Sequence, residues 1–330
     1  MMARVFALLL AGALACPTAQ AQPTKLRVGY DVIPLHLAPV VFKMPEVMQH
    51  YGKTYTVEFV KFRGSLLQRQ ALANKEVDVA VLAFSSFASG IVGAHLPIRA
   101  IADVAQDGPG FSTVYAVLDD SPIRSVADLK GKVLAVNGFE GAVDVAARVV
   151  LRRHGLTPGS DVRLVEATFP TMEAMLREKK TDVAAFVAPF WELAEQRGGL
   201  RKLFEQRDGL GTTQFLMFAV LNETIEKNRP VLVQFLEDYI RGLRAAMAPE
   251  NRGKVIRIIA ALTNQPESAI AQWALVEGRD HHHDPDARIN VEALQQNVDR
   301  LQELGMLKHR FDVNQHLDLS LVEEAVAATR

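Results

Sequence analysis

The chain has 330 residues, and 37 Lys+Arg against 38 Asp+Glu leave a formal net charge of −1, which is no electrostatic footprint for nucleic acid. Its one cysteine, Cys16, sits near the N-terminus, so the rest of the chain has no disulfide, no thiol nucleophile and no cysteine ligand for zinc or an iron–sulfur cluster. That length suggests two lobes, large enough to bury full cores without staples.

Arg4 is the only charge before the apolar run from Val5 to Ala15. About eleven residues are too few to span a bilayer as a helix, which takes roughly 20. Ala19-Gln20-Ala21 has the small-x-small pattern of a signal-peptidase site, so a leader over residues 1–21 and export to the periplasm are expected. Cys16 offers a lipoprotein alternative, but Ala13-Leu14-Ala15-Cys16 lacks the large aliphatic residue usual three positions before the cysteine. No later apolar segment approaches membrane-spanning length.

Beyond the leader, Leu26–Tyr30, Thr56–Phe62, Val77–Leu82 and Arg99–Val104 read as short strands with helical spacing between them, as at Leu66, Leu67, Gln70, Ala71 and Ala73. Strand, helix, strand at this spacing predicts parallel βαβ units in an open α/β sheet. A second series runs through Ser112–Leu118, Val133–Val136, Val162–Val165 and Val183–Val187, with helices expected from Val143 to His154 and Thr171 to Lys179. Thr213–Val220 is one further strand, and the rest is helical: Pro230 opens one helix, and Val291, Leu294, Val298 and Leu301 share a face of another. The expected division is residues 22–107 with 213–330 as lobe 1 and its helical tail, and 108–212 as lobe 2. Two glycine-containing crossings near Gln106–Gly110 and Asp208–Gln214 then form a paired hinge.

Six segments in order carry a family resemblance. They are Leu26-Arg27-Val28-Gly29-Tyr30, Ala38-Pro39-Val40, Arg63-Gly64-Ser65 with Ala71–Ala80, Ser121–Lys132 (Ser-Pro-Ile-Arg-Ser-Val-Ala-Asp-Leu-Lys-Gly-Lys), Ile289–Leu294 and Asp318–Val322. Together they resemble the substrate-binding proteins for nitrate, taurine, aliphatic sulfonates and thiamine-pyrimidine precursors, called NMT1-like. The resemblance implies the type II periplasmic binding fold, α/β with two lobes that close on a solute. It also implies a partner permease and ATPase of an ABC importer, and a monomer without a cofactor.

In open α/β sheets ligands sit beyond the C-terminal ends of strands, where helix N-termini offer unpaired N–H groups to anions. Candidate contacts therefore lie at Asp31, Pro34 and His36 after the first strand, at Arg63, Gly64 and Ser65, and at Phe84, Ser85 and Ser86. In lobe 2 they lie at Phe139, Glu140, Gly141 and Ala142, and at Pro189, Phe190 and Trp191; Phe111, Ser112 and Gln214 flank the crossings. Each has a plainer reading: Ser65 caps its own helix, Glu140 complements a helix dipole, Arg63 lies on the surface and the rings belong to the core. Where the family carries Gly-Ser or Gly-Thr, this chain has Gly141-Ala142. Where amine-binding relatives carry Trp-Asp-Pro, it has Val187-Ala188-Pro189, which counts against taurine.

No nucleophile elbow, Walker loop or dinucleotide fingerprint is present. His281-His282-His283 suggests either a solvated loop or a metal site. The pyridoxal-dependent pyrimidine synthases that share the fold fit an exported chain without a cysteine cluster poorly. Binding without catalysis is the expectation.

Overall fold

The computed structural model describes residues 22–107 and 110–330; the expected leader, Cys16 and two residues of the first expected crossing lie outside the described residues. The elements follow the βα alternation expected from the sequence. In lobe 1, β1 (Thr24–Tyr30) precedes α1 (Ala38–Val41), β2 (Tyr55–Lys61) precedes α2 (Ser65–Ala73), and β3 (Ala80–Ala83) runs straight into α3 (Phe84–Val92) and then β4 (Ile98–Asp107). Lobe 2 contains β5 (Val114–Leu118), β6 (Val133–Val136), α4 (Ala142–Arg153), β7 (Arg163–Glu166), α5 (Phe169–Arg177), β8 (Val183–Phe186), α6 (Phe190–Arg197), β9 (Leu200–Glu205) and α7 (Gln206–Leu210). The chain then returns through β10 (Thr213–Leu221) to α8 (Asn222–Met247), α9 (Arg252–Thr263), α10 (Glu267–Ile270), α11 (Val291–Glu303) and α12 (Leu319–Ala328).

The two sheets repeat one plan. In lobe 2 the order is β7-β6-β8-β5-β9, with β5 antiparallel to both neighbours. In lobe 1, β10 lies antiparallel between β3 and β4, while β1 and β2 pair in parallel. The Gly29 amide donates to the Val79 carbonyl at 2.9 Å, and a bridge joins Val28 to Val79, so β1 continues that sheet beside β3. Both sheets bury β-branched and alanine side chains on their faces, as helices on both sides require. The tail packs on lobe 1: α11 against α3 and β10, α12 against α8 and β4. Among the described residues no helix is long and apolar enough to cross a membrane.

The crossings between lobes run side by side, since Thr213 at the start of β10 pairs with Asp107 at the end of β4. Here the histidine run corrects an expectation. His281 and His283 are buried at 4 % and 5 % exposure, and only His282 is exposed. The run is held because its backbone pairs with the end of β4: the Gln106 amide donates to the His282 carbonyl and the His282 amide to the Gln106 carbonyl. His283 Nδ1 meets the Val104 carbonyl at 2.7 Å, and His281 Nδ1 meets the Asp107 carboxylate at 2.6 Å. Among the described residues, no group of three His, Cys, Asp or Glu side chains is placed to hold a metal ion.

Candidate functional site

Three helices begin at one place between the lobes. Helix α2 starts after Gly64, whose φ of 91° lies in the left-handed region open to glycine, and α4 starts after Gly141. Helix α5 starts after Thr168, with Pro170 in its first turn, where a missing N–H costs nothing. None of the three has a side-chain cap, so their first-turn N–H groups and positive dipole ends point to a ligand position. Ser65 does not cap α2; its Oγ accepts from the Ala83 amide at 2.9 Å and so ties α2 to β3.

These helix starts line a cavity of about 410 Å³ together with Asp31, His36 and Arg63 of lobe 1 and Asn137, Phe139 and Glu166 of lobe 2. A second cavity of about 750 Å³ shares Asp31, Arg63, Asn137 and Phe169 with it and extends the cleft past Pro189 and Phe190. Phe139, Phe169, Phe190 and Phe215 give this space aromatic walls. Arg63 is exposed to the cleft and has no ion-pair partner among the described residues. Burial pushes the Asp31 carboxyl up to about 6, against the opposing pull of the Gly64 amide, the Lys61 charge and the Asn137 side chain. His36 is held down to about 3 by burial and by His283 and His281 nearby, so it is neutral. Its Nδ1 accepts from the Asp31 amide at 3.2 Å, which leaves the hydrogen on Nε2. Glu166 is engaged already, its Oε1 accepting from the Phe139 amide at 2.6 Å.

Of the candidates read from the sequence, the structure brings Asp31, His36, Arg63, Gly64, Ser65, Phe139, Gly141, Ala142, Pro189 and Phe190 to the cleft. The others lie elsewhere, each for a visible reason. Phe84 is fully buried in the first turn of α3, and Pro34 is buried within the loop that joins β1 to α1. Ser85 and Ser86 face lobe 2 rather than a solute: their hydroxyls donate to the Glu140 carbonyl at 2.8 and 3.3 Å. Glu140, at φ 60°, also sets its carboxylate 3.3 Å from Arg69 of lobe 1, so it joins the lobes instead of lining the cavity. Phe111 meets His281 edge-on behind the hinge, and Ser112 donates to Asp107. Trp191 packs edge-on against Phe186, with the Lys202 ammonium over its ring. Gln214 is fully buried, donating to Asp103 and accepting from the Asn290 amide.

Sequence reasoning missed Gln68, Glu166, Thr168 and Phe169 as cleft residues, whereas Asn137 opens the expected lobe 2 junction Asn137–Ala142. Glu166 ends β7 and Thr168 and Phe169 follow it, where the rule applied to the other strand ends would have found them. Gln68 lies inside α2 and carries no signal in the sequence.

Residues 55–252 match the family described as NMT1/THI5 like. The chain belongs to that family. An Escherichia coli K12 protein named for binding aliphatic sulfonates is 24% identical over 331 residues, spanning 96% of this chain and 97% of that one. The crystal structure of the Escherichia coli periplasmic aliphatic sulphonate binding protein superposes with a TM-score of 0.67 at 21% identity, over 91% of this chain and 99% of that one. The alkanesulfonate-binding protein of Xanthomonas axonopodis pv. citri, bound to MOPS, gives 0.70 at 19% identity, over 91% and 99%. The periplasmic nitrate-binding protein of Synechocystis PCC 6803 gives 0.73 at 15% identity, over 93% and 89%. The family member described here thus has the type II periplasmic binding fold.

Proposed function

We propose that this NMT1/THI5-like protein is the solute-binding component of an ABC importer, working in the periplasm with a permease and its ATPase. Its solute is a small organic acid, a sulfonate or carboxylate, with an apolar or aromatic body. One observation carries the reading: three uncapped helix N-termini and the unpaired Arg63 converge on a cleft otherwise walled by phenylalanine rings. The N–H groups and guanidinium suit anionic oxygens, and the rings suit a flat or apolar remainder. Because both lobes contribute, a solute that contacts both favours the closed arrangement over open ones, which is the shape a permease can recognise.

Thermal unfolding of a chain beginning at Gln22, measured against pooled sulfonates, aromatic and aliphatic carboxylates, nitrate and pyrimidines, tests this. A solute at a hundredfold over its dissociation constant stabilises by about 2.7 kcal/mol. The reading expects such a shift from an organic acid and its loss in Arg63→Ala and Phe169→Ala. Silence across every pool would refute it.

A further inference from the structure

The cavity that suits an anion already contains an acid. Asp31 follows β1, is half-buried, and lines both connected cavities beside the starts of α2, α4 and α5. The other titratable groups on those walls are Tyr30 at the end of β1, His36 before α1, Lys61 and Arg63 at the end of β2 and the turn into α2, and Glu166 at the end of β7 across the cleft. Lys61 and Arg63 are exposed, and among the described residues Asp31 forms an ion pair with neither. His36 offers it no cation, because its Nδ1 accepts from the Asp31 amide and the ring is neutral. Glu166 is committed elsewhere, its Oε1 lying 2.6 Å from the Phe139 amide. Asp31 is thus a carboxyl between the lobes without a salt bridge, beside the helix N–H groups and the guanidinium that suit a solute's oxygens. Burial holds it up at about 6, so near neutral pH a small change in its surroundings decides its charge.

We propose that Asp31 takes up a proton when the site captures an anion, so that the solute binds as its anion together with one proton. This rests on the solute-capture reading and deepens it by naming the condition under which capture is strongest. Two negative charges in one desolvated cavity repel strongly, and a site shared by two anionic groups keeps one of them protonated. The solute's oxygens have the helix N-termini and Arg63, whereas Asp31 has no ion-pair partner, so Asp31 is the group that yields. Once protonated, its O–H becomes one more donor for the solute. Proton and anion then favour each other's binding by the same factor. A proton held more tightly in the complex than in the free protein makes binding strongest at low pH. Affinity therefore falls as pH rises through about 6 and levels off only where the complex itself loses the proton.

The test is calorimetric titration of the same chain with methanesulfonate, benzenesulfonate, benzoate and hexanoate at pH 6, 7 and 8, in two buffers of different ionisation enthalpy. The buffer dependence of the heat gives the protons taken up, expected at about half a proton or more per bound anion at pH 7. Affinity should be at least about tenfold weaker at pH 8 than at pH 6. Asp31→Asn, neutral at every pH and of the same shape, should take up no proton and bind within about twofold at pH 6 and pH 8. At pH 8 it should bind at least about tenfold more tightly than the wild type. Glu166→Gln should keep the wild-type pH slope, which separates the two carboxyls. The wild-type proton count needs no variant if Asp31→Asn fails to fold. Anion binding without proton uptake, or a slope that survives in Asp31→Asn, overturns the proposal and leaves solute capture standing. No binding by any of these anions at any pH overturns both.

Discussion

Replacing Asp107 with alanine removes the acceptor on which the two crossings and the tail converge. One oxygen accepts from Ser112 Oγ at 3.2 Å, the Thr113 amide at 3.1 Å and Gln206 Nε2 at 2.6 Å; the other meets His281 Nδ1 at 2.6 Å. Asp107, Thr113 and Gln206 are fully buried, so water cannot replace the lost partner. Each stranded donor costs about 1–3 kcal/mol, and breaking a buried pair by removing one member costs about 3–5 kcal/mol. Because the four contacts share one carboxylate their losses do not add, and about 4–6 kcal/mol in total is expected. For a chain of this size that lowers Tm by roughly 10 °C or more. Asp107→Asn should cost far less, about 1–2 kcal/mol. Its oxygen can still face Ser112, Thr113 and Gln206, while its NH₂ meets His281 in the tautomer that accepts at Nδ1. Urea and thermal unfolding followed by circular dichroism would measure both. A loss below about 1 kcal/mol for the alanine variant, or equal losses for the two, would refute the assignment of Asp107 as the anchor of the hinge.

Ser85→Ala combined with Ser86→Ala removes both hydroxyl bonds to the Glu140 carbonyl and should weaken solute affinity about five- to 150-fold, at about 0.5–1.5 kcal/mol per bond, with little change in Tm; calorimetric titration checks it, and unchanged affinity would show that these bonds do not bias closure. Glu192 lies buried on α6 with Oε2 unpartnered, and burial, helped by the charge of Asp280, pushes its carboxyl from 4.5 up to about 8. Its raised folded value means that the associated stability is complete below about pH 4.5 and is lost as pH rises through about 8. The difference in unfolding free energy between wild type and Glu192→Gln, measured by urea titration, should therefore widen from pH 5 to pH 9 in favour of the variant, by up to about 3–5 kcal/mol, and a pH-independent difference would contradict it. Gly29→Ala, by driving Gln68 from its seat against the Val81 amide, should cost about 1–3 kcal/mol of stability; an unchanged urea midpoint would show that the amide can move aside freely.

Most of the architecture is legible in the sequence because buried strands in an α/β sheet are short apolar runs. Val133–Val136 is read without error, and β1, β2, β7, β8 and β10 fall within two residues of the expected bounds. The strand Leu200–Glu205 is not legible: it is an edge strand whose arginine, lysine and glutamate break any alternation. Helix α3 is missed because it follows β3 with no turn between, so the Phe84–Phe87 stretch resembles a junction. The site is legible where it consists of strand ends, as at Asp31, Gly64 and Gly141. It is not legible where long-range pairing decides a residue's fate. Ser85 and Ser86 have the composition of a ligand contact, but the left-handed turn at Glu140 brings a carbonyl to them first. His281 and His283 look solvated until their backbone pairing with β4 is known.

The strand order of lobe 1 also fixes the sequence in which the molecule can be completed. All five strands of lobe 2 lie between Val114 and Glu205, an uninterrupted stretch of chain. In lobe 1 the slot between β3 and β4 is filled by β10, which is synthesised after the whole of lobe 2. Until residue 221 is available, β3 and β4 each keep an open edge, the kind of surface that pairs with other chains. Lobe 2 can therefore mature first, while the half that begins at the N-terminus is the last to close. A chaperone or secretion factor that must keep this chain from aggregating has its longest task at the edges of β3 and β4.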